Sequence, residues 1–506
     1  MGLYILPIWV PLLLLQIPLL LLLKKIKEAK TLNRQLPPSP PKLPILGNLH
    51  QLGVLPHQSF RKLYQIYGPV MLFKFGRLPV VVISSAEAAN EVLKVHDLDS
   101  CSRPSFTGVR KLSYNCSDLS FSPYGDYWRE IRKICVLQLF SLNRVQSFQT
   151  IREEEIASLL NSISQSSSSV TPVDLSEKIY ALAGSIILRI AFGQRFPGSV
   201  LDHDKFSELI HDAEALLGSL TADEMFPYVG WIIDKLTGYH TKLERVFHEL
   251  DMFYEQAIGD HLKAERETND EEDIIDVMLK IVRNKKTSEA RFTEVHIKAI
   301  LMDIFLAGVD TSAKTVVWAM AELARNPRAM NKAQDEVRNF FRKKGKVSED
   351  DIDQLHYLKL IIKETLRLHP AVPLLLPRET ISHFKVNGYD IYPKTIMQVN
   401  VWAIGRDPNY WKDPEEFYPE RFMDNPTDFK GQNFEFLPFG SGRRSCPGIN
   451  MGLKTVEVAL ANLLYEFNWK LPNGMKEEDI NMEEAIGMSL TVSKKTALNL
   501  VPVKYL

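Results

Sequence analysis

The chain has 506 residues, 45% hydrophobic and 24% charged, with 61 basic and 62 acidic side chains and a formal net charge of −1. That length and apolar content allow a large buried core, and the even charge balance gives no reason to expect a nucleic-acid partner. The four cysteines, Cys101, Cys116, Cys135 and Cys446, show no C-x-x-C spacing, so neither a zinc site nor a disulfide framework is indicated and a reducing, cytosolic environment fits.

Residues Met1 to Leu23 form an uncharged, leucine-rich run. At about 1.5 Å per residue a helix of that length spans a bilayer core of about 30 Å, and the prolines in it are tolerated in membrane helices. A cleaved signal peptide would need a basic start and a small-residue cleavage site, and neither is visible. Lys24, Lys25, Lys27 and Lys30 follow, so the positive-inside rule puts the rest of the chain in the cytosol, where the sequon Asn115-Cys116-Ser117 should be silent. Prolines between Pro37 and Pro44 predict a stiff spacer. The expected division is a membrane anchor over 1–23, a basic and proline-rich hinge over 24–47 and one large domain over 48–506.

Val70 to Phe75 and Val80 to Ile83 read as two strands around Gly76. Mostly helical segments follow. In Trp128-Arg129-Glu130-Ile131-Arg132-Lys133, Trp128 and Arg132 lie four apart on one helix face, where both could donate to a carboxylate. A basic surface helix with one buried tryptophan is the alternative. The serine-rich stretch Asn161 to Pro172 reads as a surface loop, and Arg266 to Asp273 as solvated.

Ile297 to Arg325 is the longest helical candidate. It carries Ala307-Gly308-Val309-Asp310-Thr311-Ser312 within an apolar run. Glycine costs about 1 kcal/mol there relative to alanine, and Asp310 and Thr311 are expensive to bury unpaired. A local defect opening a groove for water and oxygen would explain all three; a kink with a hydroxyl bonded to its own turn is the other reading. Farther on, Glu364 and Arg367 share a helix face. Val372 to Leu376, with Leu301, Ile304, Phe305 and Ala307 and the loop around Met488, predict an apolar pocket, although core packing would serve each of these residues as well. Strand-like pieces at Phe384 to Asn400 and Ala497 to Val503 complete a mainly α chain with a minor β-sheet subdomain.

The most informative stretch is Phe439-Gly440-Ser441-Gly442-Arg443-Arg444-Ser445-Cys446-Pro447-Gly448. Ile449 to Phe467 then has helical periodicity, which places Cys446 near the positive end of a helix and favours a thiolate. A lone thiolate in a glycine-rich bend suits axial ligation of a flat iron macrocycle; a buried turn cysteine is the alternative.

Phe439, Gly442, Arg444, Cys446 and Gly448 fit F-x-x-G-x-R-x-C-x-G, which resembles the haem-binding loop of the cytochrome P450 superfamily. Trp128 and Arg132 resemble its W-x-x-x-R, Ala307 to Thr311 its oxygen-activation motif, Glu364 and Arg367 its E-x-x-R, and Arg421 the third member of that network. The details look most like plant microsomal members. The resemblance implies the cytochrome P450 fold, haem b ligated by Cys446, and haem contacts from Trp128, Arg132, Arg378, Phe439 and Arg444. It implies proton delivery by Asp310 and Thr311, and a structural role for Glu364, Arg367 and Arg421. It also implies a haem-thiolate monooxygenase of the endoplasmic reticulum membrane that inserts one atom of O2 into a lipophilic substrate. Electrons would come from NADPH through a separate flavoprotein reductase, with cytochrome b5 as a further partner, docking near Arg443 and Lys133. A haem-thiolate dehydratase or isomerase, or a non-catalytic haem-binding protein, is the alternative.

Overall fold

The computed structural model describes residues 35–167, 171–193, 203–263, 272–283, 292–487 and 489–505, together with Pro18. Apart from that proline, the leucine-rich run and the lysines after it lie outside the described residues, as does Met488. Among the described residues no helix is long and apolar enough to cross a membrane.

The helices that place the site are α1 (Asp126–Ile134), α2 (Gln149–Ser167), α3 (Leu175–Phe192), α4 (His203–Gly218), α5 (Tyr239–Leu262), α6 (Glu294–Arg325), α7 (His356–Leu368) and α8 (Ile449–Glu466). The strands are β1 (Val70–Phe75), β2 (Leu78–Ile83), β3 (Val173–Asp174), β4 (Arg378–Glu379), β5 (Phe384–Val386), β6 (Tyr389–Ile391), β7 (Ile396–Val399), β8 (Phe467–Lys470) and β9 (Asn499–Lys504). The mainly helical expectation is met, with small sheets to one side.

α6 runs through the middle and is buried along most of its length, which is why it is apolar on nearly every face. Thr293 caps it, and its side chain and that of His296 satisfy each other's backbone N–H groups. It packs closely on α3. A side chain on Gly308 would come within 2.6 Å of Ile187 Cδ1, so this glycine lets the two helices meet. The backbone stays α-helical through 307–312, and the local defect expected there is absent.

The larger sheet has the order β1-β2-β7-β4. β1 and β2 form an antiparallel hairpin, β2 runs parallel to β7, and β7 runs antiparallel to β4. Alternation separates its faces: Met71, Phe73, Val80 and Val82 pack on one side, Val70, Val81 and Ile83 on the other. Residues 35–48 lie against this sheet. Leu72 N–H donates to the Pro38 carbonyl at 2.8 Å, and Asn48 Nδ2 donates to the Pro40 and Pro41 carbonyls while its Oδ1 accepts from Lys74 N–H.

Two loop expectations need correction. The serine-rich stretch remains helical through Ser167, because the fully buried Ile163 anchors that end of α2 in the core. Asp273, expected in a solvated run, is buried with its carboxylate 2.8 Å from His261 Nε2; residues 264–271 lie outside the described residues.

Candidate active site

The cysteine loop is pressed onto the segment before it in the fold. Gly442 has φ +71°, and a Cβ there would lie 2.3 Å from the Leu93 carbonyl oxygen and 2.8 Å from Asp97 Oδ1, so only glycine fits. Cys446 N–H donates to the Phe439 carbonyl at 3.0 Å, and α8 begins three residues later at Ile449. The cysteine is surrounded by protein atoms, yet its surface opens into a cavity of about 300 Å³. Burial pushes its thiol up from the ordinary range, against a Gly448 backbone hydrogen bond and the Arg132 charge. A metal cation bound at this sulfur would favour the thiolate.

Arginines crowd the rim beside Cys446. Arg132 Nη2 donates to the Ser445 carbonyl at 2.8 Å. Arg444 donates to the carbonyls of Cys101 at 2.8 Å and Ser122 at 2.6 Å, and lies over the Trp128 ring, whose Nε1 donates to the Leu119 carbonyl. Arg378 pairs with Asp97 at 2.8 Å and reaches the Ser441 carbonyl. Arg103, which no sequence motif marks, joins them and donates to the carbonyls of Ser120, Leu376 and Pro377. All four arginines line the cavity. Burial and the neighbouring guanidinium charges lower Arg103 far below its ordinary value and Arg444 to about 9. Positive charge is in surplus at this rim. A flat macrocycle bearing two carboxylates, with its iron at Cys446, would relieve it, so the residues fit haem.

On the opposite wall, Ile304, Ala307, Gly308, Thr311 and Thr315 form one stripe of α6 facing the cavity. Leu301 and Phe305, expected there, turn away into the bundle. Each lies about 100° around the helix from a cavity-facing neighbour, and Phe305 packs against Phe192, Phe253 and Tyr254. Val372, Leu375 and Phe439 line the cavity as expected. Thr311 Oγ1 donates to the Ala307 carbonyl at 2.7 Å, the back-bonded arrangement.

Asp310 points away from the cavity. It is 4% exposed, accepts from Tyr180 Oη at 3.0 Å and pairs with Lys314 at 2.5 Å. Burial pushes its carboxyl up, but the Lys314 ammonium and hydrogen bonds outweigh that and hold it below the usual range. Lys314 was missed in the sequence, although its i, i+4 spacing from Asp310 was a readable signal.

Glu364, Arg367 and Arg421 come together behind the site. Arg367 grips both oxygens of Glu364 at 2.7 and 2.8 Å and donates to the carbonyls of Gly405, Pro414 and Glu416. Arg421 Nε and Tyr418 N–H both reach Glu364 Oε1 at 2.8 Å. Glu364 and Arg367 are 0% and 1% exposed.

The family profile described as Cytochrome P450 matches residues 37–500. Among curated proteins, the chain is 55% identical over 471 residues to cytochrome P450 71B34 of Arabidopsis thaliana, covering 93% of each chain. It is 54% identical over 490 residues to cytochrome P450 71B10 of the same plant, covering 96% of this chain and 97% of that one. With cytochrome P450 71B26 it shares 54% over 500 residues, 99% of each. With similarity sustained from the hinge into the last strand, the chain belongs to the cytochrome P450 family as a plant A-type haem-thiolate monooxygenase.

Proposed function

We propose that this monooxygenase oxidises a lipophilic small molecule, a plant specialised metabolite such as a terpenoid, alkaloid or phenolic. The observation that carries this reading is a single cavity bordered by the Cys446 sulfur, by Thr311 and by apolar side chains such as Ile304, Val372 and Leu375. When bound, haem supplies the oxygen-activating iron, through which one atom of O2 enters the substrate and the other leaves as water.

The chain's own residues would do the rest. Cys446 would hold the iron through its sulfur, and Arg103, Arg132, Arg378 and Arg444 would hold the carboxylates. Ile304, Ala307, Val372 and Leu375 exclude water and orient the substrate. Thr311 Oγ1 can turn its proton from the Ala307 carbonyl into the cavity. Asp310, kept charged by Lys314, can take a proton through Tyr180 Oη and resupply that wall.

Electrons would come from NADPH through a separate flavoprotein reductase, with cytochrome b5 as a second donor. Lys133 is exposed, and Arg443 is half-exposed while paired with Asp97, which suits a docking face on the cysteine side. The chain would sit at the endoplasmic reticulum membrane by a single N-terminal span, its catalytic domain on the cytosolic face. Exposed apolar side chains at Ile45, Trp231 and Leu236 support contact with lipid.

The test is expression with a reductase in membranes offered a lipophilic metabolite library, read by mass spectrometry, alongside the carbon monoxide difference spectrum of the reduced protein. An oxygenated product dependent on NADPH and O2 is expected. The thiolate-type carbon monoxide band should be present in the wild type and lost in Cys446→His. A wild type that never binds haem, or turns over equally well under nitrogen, overturns the reading.

A further inference from the structure

Neither haem binding nor Thr311 gives a role to a buried carboxyl on the cavity wall. Glu214, on α4, is 4% exposed and lines the cavity with Thr491. Lys314 donates to Thr491 Oγ1, whose own proton goes to Glu214 Oε2 at 2.7 Å; Ser489 Oγ reaches the same oxygen at 3.3 Å. Lys314 Nζ lies 2.5 Å from Asp310 Oδ2 and 3.7 Å from Glu214 Oε2, so two buried carboxyls share one ammonium.

One carboxyl of such a set holds a proton, and the nearer partner of Lys314 keeps the charge. Burial and the Asp310 charge raise Glu214 to about 8, against Lys314. Because Oε2 already accepts from two hydroxyls, the acid proton belongs on Oε1. Asp310 is within hydrogen-bonding reach of Glu214, and the cavity offers the other direction. Several other polar side chains of this wall are engaged. Asp303 accepts from Leu119 and Ser120 N–H, while Thr311 and Thr315 donate to carbonyls of α6.

We propose that Glu214 is a specificity-determining residue, donating a hydrogen bond to a neutral acceptor oxygen, a ketone, ether or hydroxyl, on an otherwise lipophilic substrate. This deepens the monooxygenase reading and rests on it for placing substrate in this cavity. A cationic ligand does not fit, because the Lys314 ammonium stands 3.7 Å behind the carboxyl. An acceptor oxygen brought into so apolar a cavity loses its water and needs a donor, which Glu214 supplies.

The test is equilibrium dialysis of haem-loaded protein against adamantane, 2-adamantanone and N,N,N-trimethyl-1-adamantylammonium. It reads binding without turnover, so it fails or succeeds independently of the oxidation assay. Wild type, Glu214→Gln and Glu214→Leu are compared at equal haem content, with Glu214→Met as a second apolar variant should the leucine form not fold. The ketone is expected to bind the wild type about tenfold more tightly than the hydrocarbon. Glu214→Gln, which still donates, keeps most of that preference, and the apolar variants lose it. Equal affinities in the wild type, a ketone preference surviving in the apolar variants, or tighter binding of the cation than of the ketone overturns the proposal.

Discussion

The Arg444 guanidinium lies over the face of Trp128, 3.9 Å from the ring centroid. Its Nε and Nη2 donate to the carbonyls of Cys101 and Ser122, and the ring and these carbonyls together fix its plane. The charge is thereby aimed at the rim beside Cys446.

Arg444→Lys keeps the charge but loses the planar fork and much of the stacking. Cation–π contacts of this kind are worth about 0.5–2 kcal/mol. Haem should therefore leave this variant faster by roughly two- to thirtyfold, measured by transfer to an excess of a haem-scavenging protein. An unchanged loss rate would separate Arg444 from haem retention.

Glu364→Ala leaves Arg367 buried without its partner. Breaking a buried pair costs about 3–5 kcal/mol, a large share of the usual 5–15 kcal/mol of stability. Little folded protein should accumulate, and what does should melt well below the wild type in a thermal scan.

Thr311→Ala should leave haem content unchanged and divert electrons to hydrogen peroxide. The readout is peroxide formed per NADPH consumed, with a reductase present. A variant that stays tightly coupled would remove the Thr311 hydroxyl from proton delivery.

Glu214 gives a pH signature. Its carboxyl is raised in the folded chain to about 8, above its ordinary value, so the folded state holds the proton more tightly than the unfolded one. Its contribution to stability is present below the unfolded value of about 4.3 and is lost as pH rises through about 8. Glu214→Gln stays neutral throughout. Its stability relative to the wild type should therefore rise between those limits and level off above them, as followed by denaturant unfolding at a series of pH values. A flat difference would place the proton elsewhere in the Asp310–Lys314–Glu214 set.

Residues set by type and spacing are legible in the chain, such as Cys446 in its glycine-rich bend and Glu364 with Arg367, whereas the Trp128 N–H, expected beside Arg132 on a carboxylate, goes to the Leu119 carbonyl. The cavity wall was less so. α6 is apolar nearly all round, so no polar face tells cavity from bundle, and Leu301 and Phe305 read the same as Ile304. Glu214, Thr491 and Lys314 meet from three distant segments, and no local pattern announces that meeting. Arg103 carries no spacing signal of its own. Proton delivery by Asp310 says nothing of the side chain's direction, and only packing shows it turned toward Tyr180 and Lys314.

The docking of residues 35–48 on β1 bears on where the chain can be shortened. Gly47 has φ +65°, and a side chain there would meet the Lys74 carbonyl oxygen at 2.0 Å. Proteins trimmed to start at residue 35 keep Asn48 bonded to the Pro40 and Pro41 carbonyls and keep the Leu72 amide covered. Proteins trimmed to start at residue 49 strip a sheet edge bare and invite self-association there.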